Sequence, residues 1–418
     1  MLIHSASQLI TLSGGPQRGR ELGRLGIIAD GAVLIRDGEI IAVGATADLR
    51  AQYPKESEMN VSGRVVMPGF VDAHTHVMWA GDRAAEFEMR LEGKSYLEIL
   101  EAGGGILSTV KETRAASLGA LLSDARSRLR RMFNHGTTTV ESKTGYGLDF
   151  DTELRMLSGL YSLDDEGPWE LALTFLGAHA IPSEYAGRAD EYIDHVREMM
   201  LPALKQWQQT NMPQKPLPFV DVFCETGAFN LEQSHRLLKT AGELGFPIKI
   251  HADEFENLGG TKMAVKLNAA SADHLVSLSR ADIKALGKSD TVAVGLPATP
   301  FGLGQENYMP AQEILKANGL LAVASDLNPG TAWGESMQFV LALACRYMKL
   351  TPAQAIAAST INAAAAIQRA DRIGSIEAGK QADLLVLAVP DYRHLGYRFG
   401  TNLVETVIKK GGIYPVKQ

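Results

Sequence analysis

The feature that most constrains this chain is a rhythm between about Val65 and Arg372, where eight apolar runs alternate with helix-length amphipathic stretches. The runs are VVMPGFVDAHTHV, GTTTVESKTGYG, LALTFLGAHA, FVDVFCETG, PIKIHADE, SADHLVS, TVAVGLPAT and LLAVASDLNPG. Between them lie SLGALLSDARSRLRRMFNHG, DFDTELRMLSGLYSL, LEQSHRLLKTAGELG, LGGTKMAVKLN, SRADIKALG and PAQEILKANG, with apolar residues three and four apart. Strands alternating with helical returns imply repeated βα units and a parallel sheet. Eight of them close into an α/β fold of the (β/α)8 TIM-like barrel type, whose chemistry sits at the C-terminal strand ends. A polar residue just after an apolar run is therefore where function is sought.

The two ends of the chain behave differently. HSASQLITL, GAVLIRDGEIIAVG with Asp37-Gly38 as a hairpin turn, and MNVSGRVVMPG open the chain, while QADLLVLAV and NLVETVIKKGGIYPV close it. Both read as short strands, so the termini are expected to pair in one composite β-sandwich domain (1–64 plus 373–418) flanking a barrel of 65–372. Forty-one Lys and Arg against 48 Asp and Glu leave a formal charge of −7, without the basic excess that a phosphate backbone demands, so nucleic acid is excluded as a partner. Two cysteines, Cys224 and Cys345, sit in apolar runs and read as buried thiols of a reducing cytosol. No stretch reaches the ~18 apolar residues of a membrane span, and the expectation is a soluble cytoplasmic protein.

The first barrel run ends Asp72-Ala73-His74-Thr75-His76. Alternate residues of a strand share a face, so His74 and His76 can reach one cation. A pair at i and i+2 can equally be one surface and one packing residue. The weight shifts because the third run ends in His179, the fifth in His251, the sixth in His274 and the eighth in Asp326.

This order of residues resembles the metal-dependent amidohydrolase superfamily. Within it, the chain is similar to the imidazolonepropionases, which hydrolyse 4-imidazolone-5-propanoate to N-formimidoyl-L-glutamate in histidine degradation. The stretches that carry the resemblance are Arg83 with EFEMRLEGKSYLEILEAGGGI, ESKTGYGLD, FLGAHAIPSEY, DVFCETGAF, HADE, SADHL, SDLNPG, INAAAAI and IGSIEAGKQADLL. His74, His76, His251 and Asp326 make a three-nitrogen, one-oxygen set suited to Zn²⁺ or iron, with a position left for water. The superfamily's bridging lysine at the end of strand four is missing from FVDVFCETG, so one ion is expected. Lys143, beside a turn, reads as solvated or ion-paired rather than bridging.

Glu254, in HADE, is the candidate general base or acid, with His274 assisting and Asp326 able to hold the water while ligating. The bland alternative for Glu254 is a helix-start carboxylate favoured by the helix dipole. The resemblance implies that Arg83 binds the substrate carboxylate, through two parallel hydrogen bonds, although a salt bridge to Glu86 or Asp82 is the plain reading from the residues alone. It also implies substrate contacts at Tyr146, His179, Asn328, Gly330 and Thr331, the glycine permitting close backbone approach, and a homodimer.

Departures from the family pattern in LPATPFGLGQENYMP and at Trp79 and Asp82 are expected to alter the pocket wall and not the ligands. Gly103, Gly104 and Gly105 read as a flexible segment near the barrel mouth, and His4, His135, His195, His235 and His394 as capping or solvated histidines. The alternatives are a deaminase or cyclic-amidine hydrolase on the same scaffold, which would have no carboxylate for Arg83, and a non-catalytic barrel, which would have lost its ligands.

Overall fold

The computed structural model describes residues 1–94, 98 and 103–416. Residues 95–97 and 99–102 of the EFEMRLEGKSYLEILEAGGGI stretch lie outside them. All eight expected runs contain strands: Phe70–Asp72, Thr137–Lys143, Glu170–Ala178, Phe219–Cys224, Lys249–Ala252, Ser271–His274, Val292–Gly295 and Leu321–Val323. They form one parallel sheet in chain order. The barrel closes at its C-terminal end, where Thr75 bridges Leu327 in parallel, His76 N donates to Leu327 O (2.8 Å) and Asp326 N to His74 O (3.0 Å). Closure therefore sets Asp326 beside the two histidines of the first strand.

The returning helices follow the apolar periodicity. Leu118–Asn134 buries Leu121, Ala125, Leu129, Met132 and Phe133, and Ser117 caps it by accepting from Ala120 N. A fully buried leucine of this kind contributes roughly 1.5–3 kcal/mol, which holds the helix to the sheet more firmly than propensity does.

Two further sheets come from the ends of the chain. One orders Glu39–Ala45, Gly31–Arg36, Leu2–Ala6 and Glu58–Asn60; the other orders Gly412–Pro415, Val404–Lys409, Leu384–Leu387, Val65–Pro68, Gln8–Ile10 and Ile27–Ile28. Ile3, Val33 and Ile40 of the first share an apolar cluster with Leu9, Val66, Leu384 and Ile408 of the second. Asp37 (φ 50°) and Gly38 (φ 82°) make the expected tight hairpin.

One boundary differs from the sequence reading. The run beginning at Val65 is divided: Val65–Pro68 pairs with Leu384–Leu387 and Gln8–Ile10, and only Phe70–Asp72 pairs with the second barrel strand. Gly69 is the crossing point, where a Cβ would stand 2.3 Å from Thr138 Oγ1. Both halves are equally apolar because both are buried, so composition does not mark the division. Cys224 is buried as expected, whereas Cys345 is only half-buried.

Candidate active site and metal centre

Strand pleating puts His74 and His76 on the inward face of the closed end, and the fifth and sixth strands deliver His251 and His274 beside them. The ring centroids of His74 and His251 are 4.5 Å apart, and those of His251 and His274 5.3 Å. Ligand atoms of His74, His76 and Asp326 lie within 4.8 Å of one another, as do those of His74, His251 and His274, and of His76, His179 and His251. Asp326 Oδ1 stands 3.4 Å from His74 Nε2 and 3.6 Å from His76 Nε2. Thr299 Oγ1 donates to its other oxygen, Oδ2.

The remote nitrogens are held from outside. His74 donates from Nδ1 to Asp273 Oδ2 at 2.6 Å, and His251 Nδ1 lies 3.0 Å from Asp221 Oδ2. Among the described residues, His74 Nε2, His76 Nδ1 and His251 Nε2 are buried without a hydrogen-bond partner. A buried polar atom left unpaired costs ~1–3 kcal/mol, and histidine and aspartate ligand atoms gathered within 4.8 Å of one another are the arrangement a cation requires. Burial holds the pKa values of His74, His76 and His274 well below the usual imidazole value, keeping lone pairs available. Burial also lifts Asp326 to about 6. The donor set fits the expected ion.

Above these groups opens a cavity of about 620 Å³ lined by His76, Arg83, Tyr146, His179, His251, Glu254, His274, Asp326, Asn328 and Thr331. Glu254 Oε1 is 3.5 Å from His274 Nδ1. Burial, reinforced by the negative charges of Asp326 and Glu225, pushes the Glu254 carboxyl well above its ordinary range. The helix-dipole reading of Glu254 does not hold: the next helix starts at Gly260, and Asp253 accepts from Thr261 N and Oγ1 instead. His274 (φ 79°), Leu275 (φ 59°) and Asp326 (φ 53°) adopt left-handed backbone, a conformation that costs a non-glycine residue roughly 1–3 kcal/mol and concentrates at functional sites.

Tyr146 is presented by a turn that Glu153 ties together, accepting from Gly145, Gly147 and Leu148 N–H groups. His179 donates from Nδ1 to Gly145 O (3.1 Å) and stacks on His76 at 5.0 Å. Gly145, at φ 107°, leaves no room for a side chain, since a Cβ would stand 2.9 Å from His179 Nδ1.

Arg83 lines the cavity but its fork is turned away: Nε donates to Glu86 Oε2 at 2.8 Å and Nη2 to Oε1. The plain reading of a Glu86 salt bridge therefore describes this structure, and the Nε edge is not open for a two-point grip on a ligand. Nη1 packs on Gly330, where a Cβ would stand 2.2 Å from it. The close approach at Gly330 is thus made by Arg83. Asn328 shapes that loop, accepting from Gly330 N (2.8 Å) and Thr331 N (2.9 Å). Gly105 N donates to Glu86, which anchors the last of the three glycines.

Of the two readings of Lys143, the ion-paired one describes the structure: it is fully buried, with Nζ 2.7 Å from Glu141 Oε1 and 2.9 Å from Asp221 Oδ2. Its more distant partners went unseen in the sequence. Asp221 and Asp273 had one signal, a carboxylate inside an apolar strand run, which is rarely buried without a partner. The segment after strand seven and Trp79 do not line the cavity among the described residues; the former supplies Thr299, and the latter packs under Arg128 at 3.3 Å.

Imidazoles and a carboxylate at the mouth of a parallel eight-stranded barrel are the arrangement of a hydrolase of the amidohydrolase type, and an amidohydrolase family model matches residues 227–414. A bacterial imidazolonepropionase-like composite domain model matches residues 31–55. The chain is 49% identical to the imidazolonepropionase of Herpetosiphon aurantiacus over 99% of this chain and 96% of that one. It is 48% identical to that of Chloroflexus aggregans, over 99% and 98%. It belongs to the imidazolonepropionase family. Among solved structures, a 5-methylcytosine deaminase from Klebsiella pneumoniae aligns over 100% of this chain and 98% of its own at TM-score 0.74 and 17% identity. A zinc-bound adenosine deaminase from Xanthomonas campestris aligns over 99% and 92% at TM-score 0.70 and 20% identity; these two share the fold.

Proposed function

We propose that this protein hydrolyses the cyclic amide of 4-imidazolone-5-propanoate to N-formimidoyl-L-glutamate, holding one Zn²⁺ or iron ion through His74, His76, His251 and Asp326. The observation that carries the reading is the set of buried, unpartnered imidazole nitrogens beside Asp326, on the floor of a cavity whose wall includes Arg83. Such an ion supplies Lewis acidity toward a carbonyl oxygen and toward a water. Glu254 in its ionised form, made a stronger base by burial, is suited to take a proton from the attacking water and return it to the ring nitrogen as the amide bond breaks. His274, 3.5 Å away, steadies that carboxyl, and Asp326 orients the water. Tyr146 and His179 face the ring as donor and acceptor groups.

Arg83 meets the propionate carboxylate from Nη1, with Glu86 retained on Nε and Nη2. Asn328, Gly330 and Thr331 hold the loop against which the arginine rests. Lys143 is engaged by carboxylates, which supports a single ion over a bridged pair. No helix among the described residues is long and apolar enough to cross a membrane; a cytoplasmic homodimer, each chain divided near Gly69 and residues 372/373 into sandwich and barrel, completes the reading.

The test is direct. Metal-loaded protein incubated with imidazolone propanoate is expected to consume its ultraviolet absorbance stoichiometrically with product. Folded, metal-loaded protein that leaves the substrate intact would sink the assignment.

A further inference from the structure

The buried charges beneath the histidines converge on one atom. Lys143 Nζ lies 2.7 Å from Glu141 Oε1, 2.9 Å from Asp221 Oδ2 and 3.9 Å from Asp273 Oδ2, all with no solvent exposure. Each carboxylate then reaches a different part of the candidate metal centre. Glu141 Oε2 accepts from Thr75 N (3.2 Å), the residue between His74 and His76. Asp273 Oδ2 accepts from His74 Nδ1, and Asp221 accepts His251 N on Oδ1 (3.2 Å) while its Oδ2 lies beside His251 Nδ1. Lys143 is also fixed through its own backbone, donating from N to Thr75 O at 2.9 Å. Asp326 is outside this network, held by Thr299.

We propose that Lys143 is a positioning residue for the metal centre: one ammonium that orients three carboxylates, which in turn orient the segments carrying His74, His76 and His251. This rests on the metal-site reading above. Carboxylates behind ligating imidazoles fix ring orientation and tautomer, and losing such a partner typically weakens metal affinity 10–100-fold. Without Lys143, three carboxylates would share the barrel core with, among the described residues, only the Lys249 ammonium, 3.7 Å from Asp273, to offset them. Their mutual repulsion would turn the rings they hold. The ammonium is thus required for ligand geometry, and it makes no contact with the cavity.

The experiment compares Zn²⁺ affinity, by chelator competition on the metal-free protein, with the visible absorption of the Co²⁺-substituted protein. Lys143→Met is expected to lose 10–100-fold in Zn²⁺ affinity and to shift the Co²⁺ bands. Lys409→Met, which breaks a buried lysine–carboxylate cluster far from the histidines, serves as the structural control and is expected to keep wild-type affinity and spectrum. A folded Lys143→Met with wild-type values overturns the proposal, as does an equal loss in both variants. If Lys143→Met does not fold, Asp221→Asn and Glu141→Gln each remove one arm, and wild-type affinity in both overturns it equally. None of these readouts uses the imidazolone, so a protein that binds Zn²⁺ as described but fails to hydrolyse it would sink the reaction and leave Lys143's role standing.

Discussion

Lys143 and Lys409 are each buried against more than one carboxylate, and their surroundings differ. Lys409 lies where the terminal sheet meets the base of the barrel, 2.6 Å from Glu170 and 2.7 Å from Asp383. Gln381 donates to both carboxylates, Arg372 to Glu170, and the Lys410 backbone to Asp383. Among the described residues, no atom of that cluster is left buried without a partner. Around Lys143, by contrast, Asp273 Oδ1, His74 Nε2 and His251 Nε2 are unpaired. A buried ion pair by itself is weak evidence of function or of stability. What separates the two clusters is the unpaired imidazole nitrogens, which a structural network would have no reason to leave.

The largest effect that sharpens this contrast is metal removal. Chelation, or His251→Ala, is expected to reduce turnover of imidazolone propanoate to the buffer blank, with Zn²⁺ restoring the chelated wild type and not the variant. Lys409→Met is expected to keep its turnover at a temperature where it remains folded. Equal losses in the two variants, measured as kcat/KM at matched folded fraction, would erase the distinction between the clusters.

Next in size is Glu254→Gln, which keeps shape and hydrogen-bonding capacity but cannot exchange a proton. A fall in kcat of about 10²–10⁴ is expected, within the range for loss of a general acid–base group, with Zn²⁺ content unchanged. A loss below about tenfold would move the proton transfers to His274 or Asp326.

How far the sequence shows these things depends on where the partners lie. His74, His76, His179, His251, His274 and Asp326 are legible because each follows an apolar run, and an inward polar residue at a strand end needs only local pattern to be noticed. The Arg83–Glu86 pair is legible for the same reason, being three residues apart. Lys143 is legible as ion-paired, but its contacts with Asp221 and Asp273 are not, because they depend on the register between second, fourth and sixth strands, which no local spacing encodes. Thr299 is hidden likewise, since only barrel closure sets the seventh-strand loop against Asp326. Gly69 marks the passage from terminal sheet to barrel by a close approach to Thr138, visible only once both are placed.

A smaller effect separates the cavity wall from its floor. Gly330→Ala puts a Cβ 2.2 Å from Arg83 Nη1, so the guanidinium must move while the histidines stay in place. KM is expected to rise about tenfold, or ~1.4 kcal/mol, with kcat and metal content little changed. An unaltered KM would mean that Arg83 does not need this position to hold the substrate.

The smallest effect on activity, and the one that probes the control cluster itself, is the acid response of Lys409→Met. Burial alone would raise the Glu170 pKa, but the charge and hydrogen bond of Lys409, helped by Gln381 and Lys410, outweigh it and hold the carboxyl far below its ordinary value of 4.5. A carboxyl whose folded-state pKa is depressed contributes stability above its unfolded value, and that contribution drains away as pH falls toward the folded one. Wild-type protein should therefore lose part of its stability between about pH 4.5 and lower values. Lys409→Met should lose roughly 3 kcal/mol at neutral pH, the scale for removing one partner of a buried pair, and show a shallower fall on acidification. Denaturant unfolding at pH 7 and pH 4 measures both. A variant with an undiminished acid slope would place the carboxylates responsible elsewhere, the Lys143 cluster among them, and the two lysines would then differ in less than the unpaired histidine nitrogens imply.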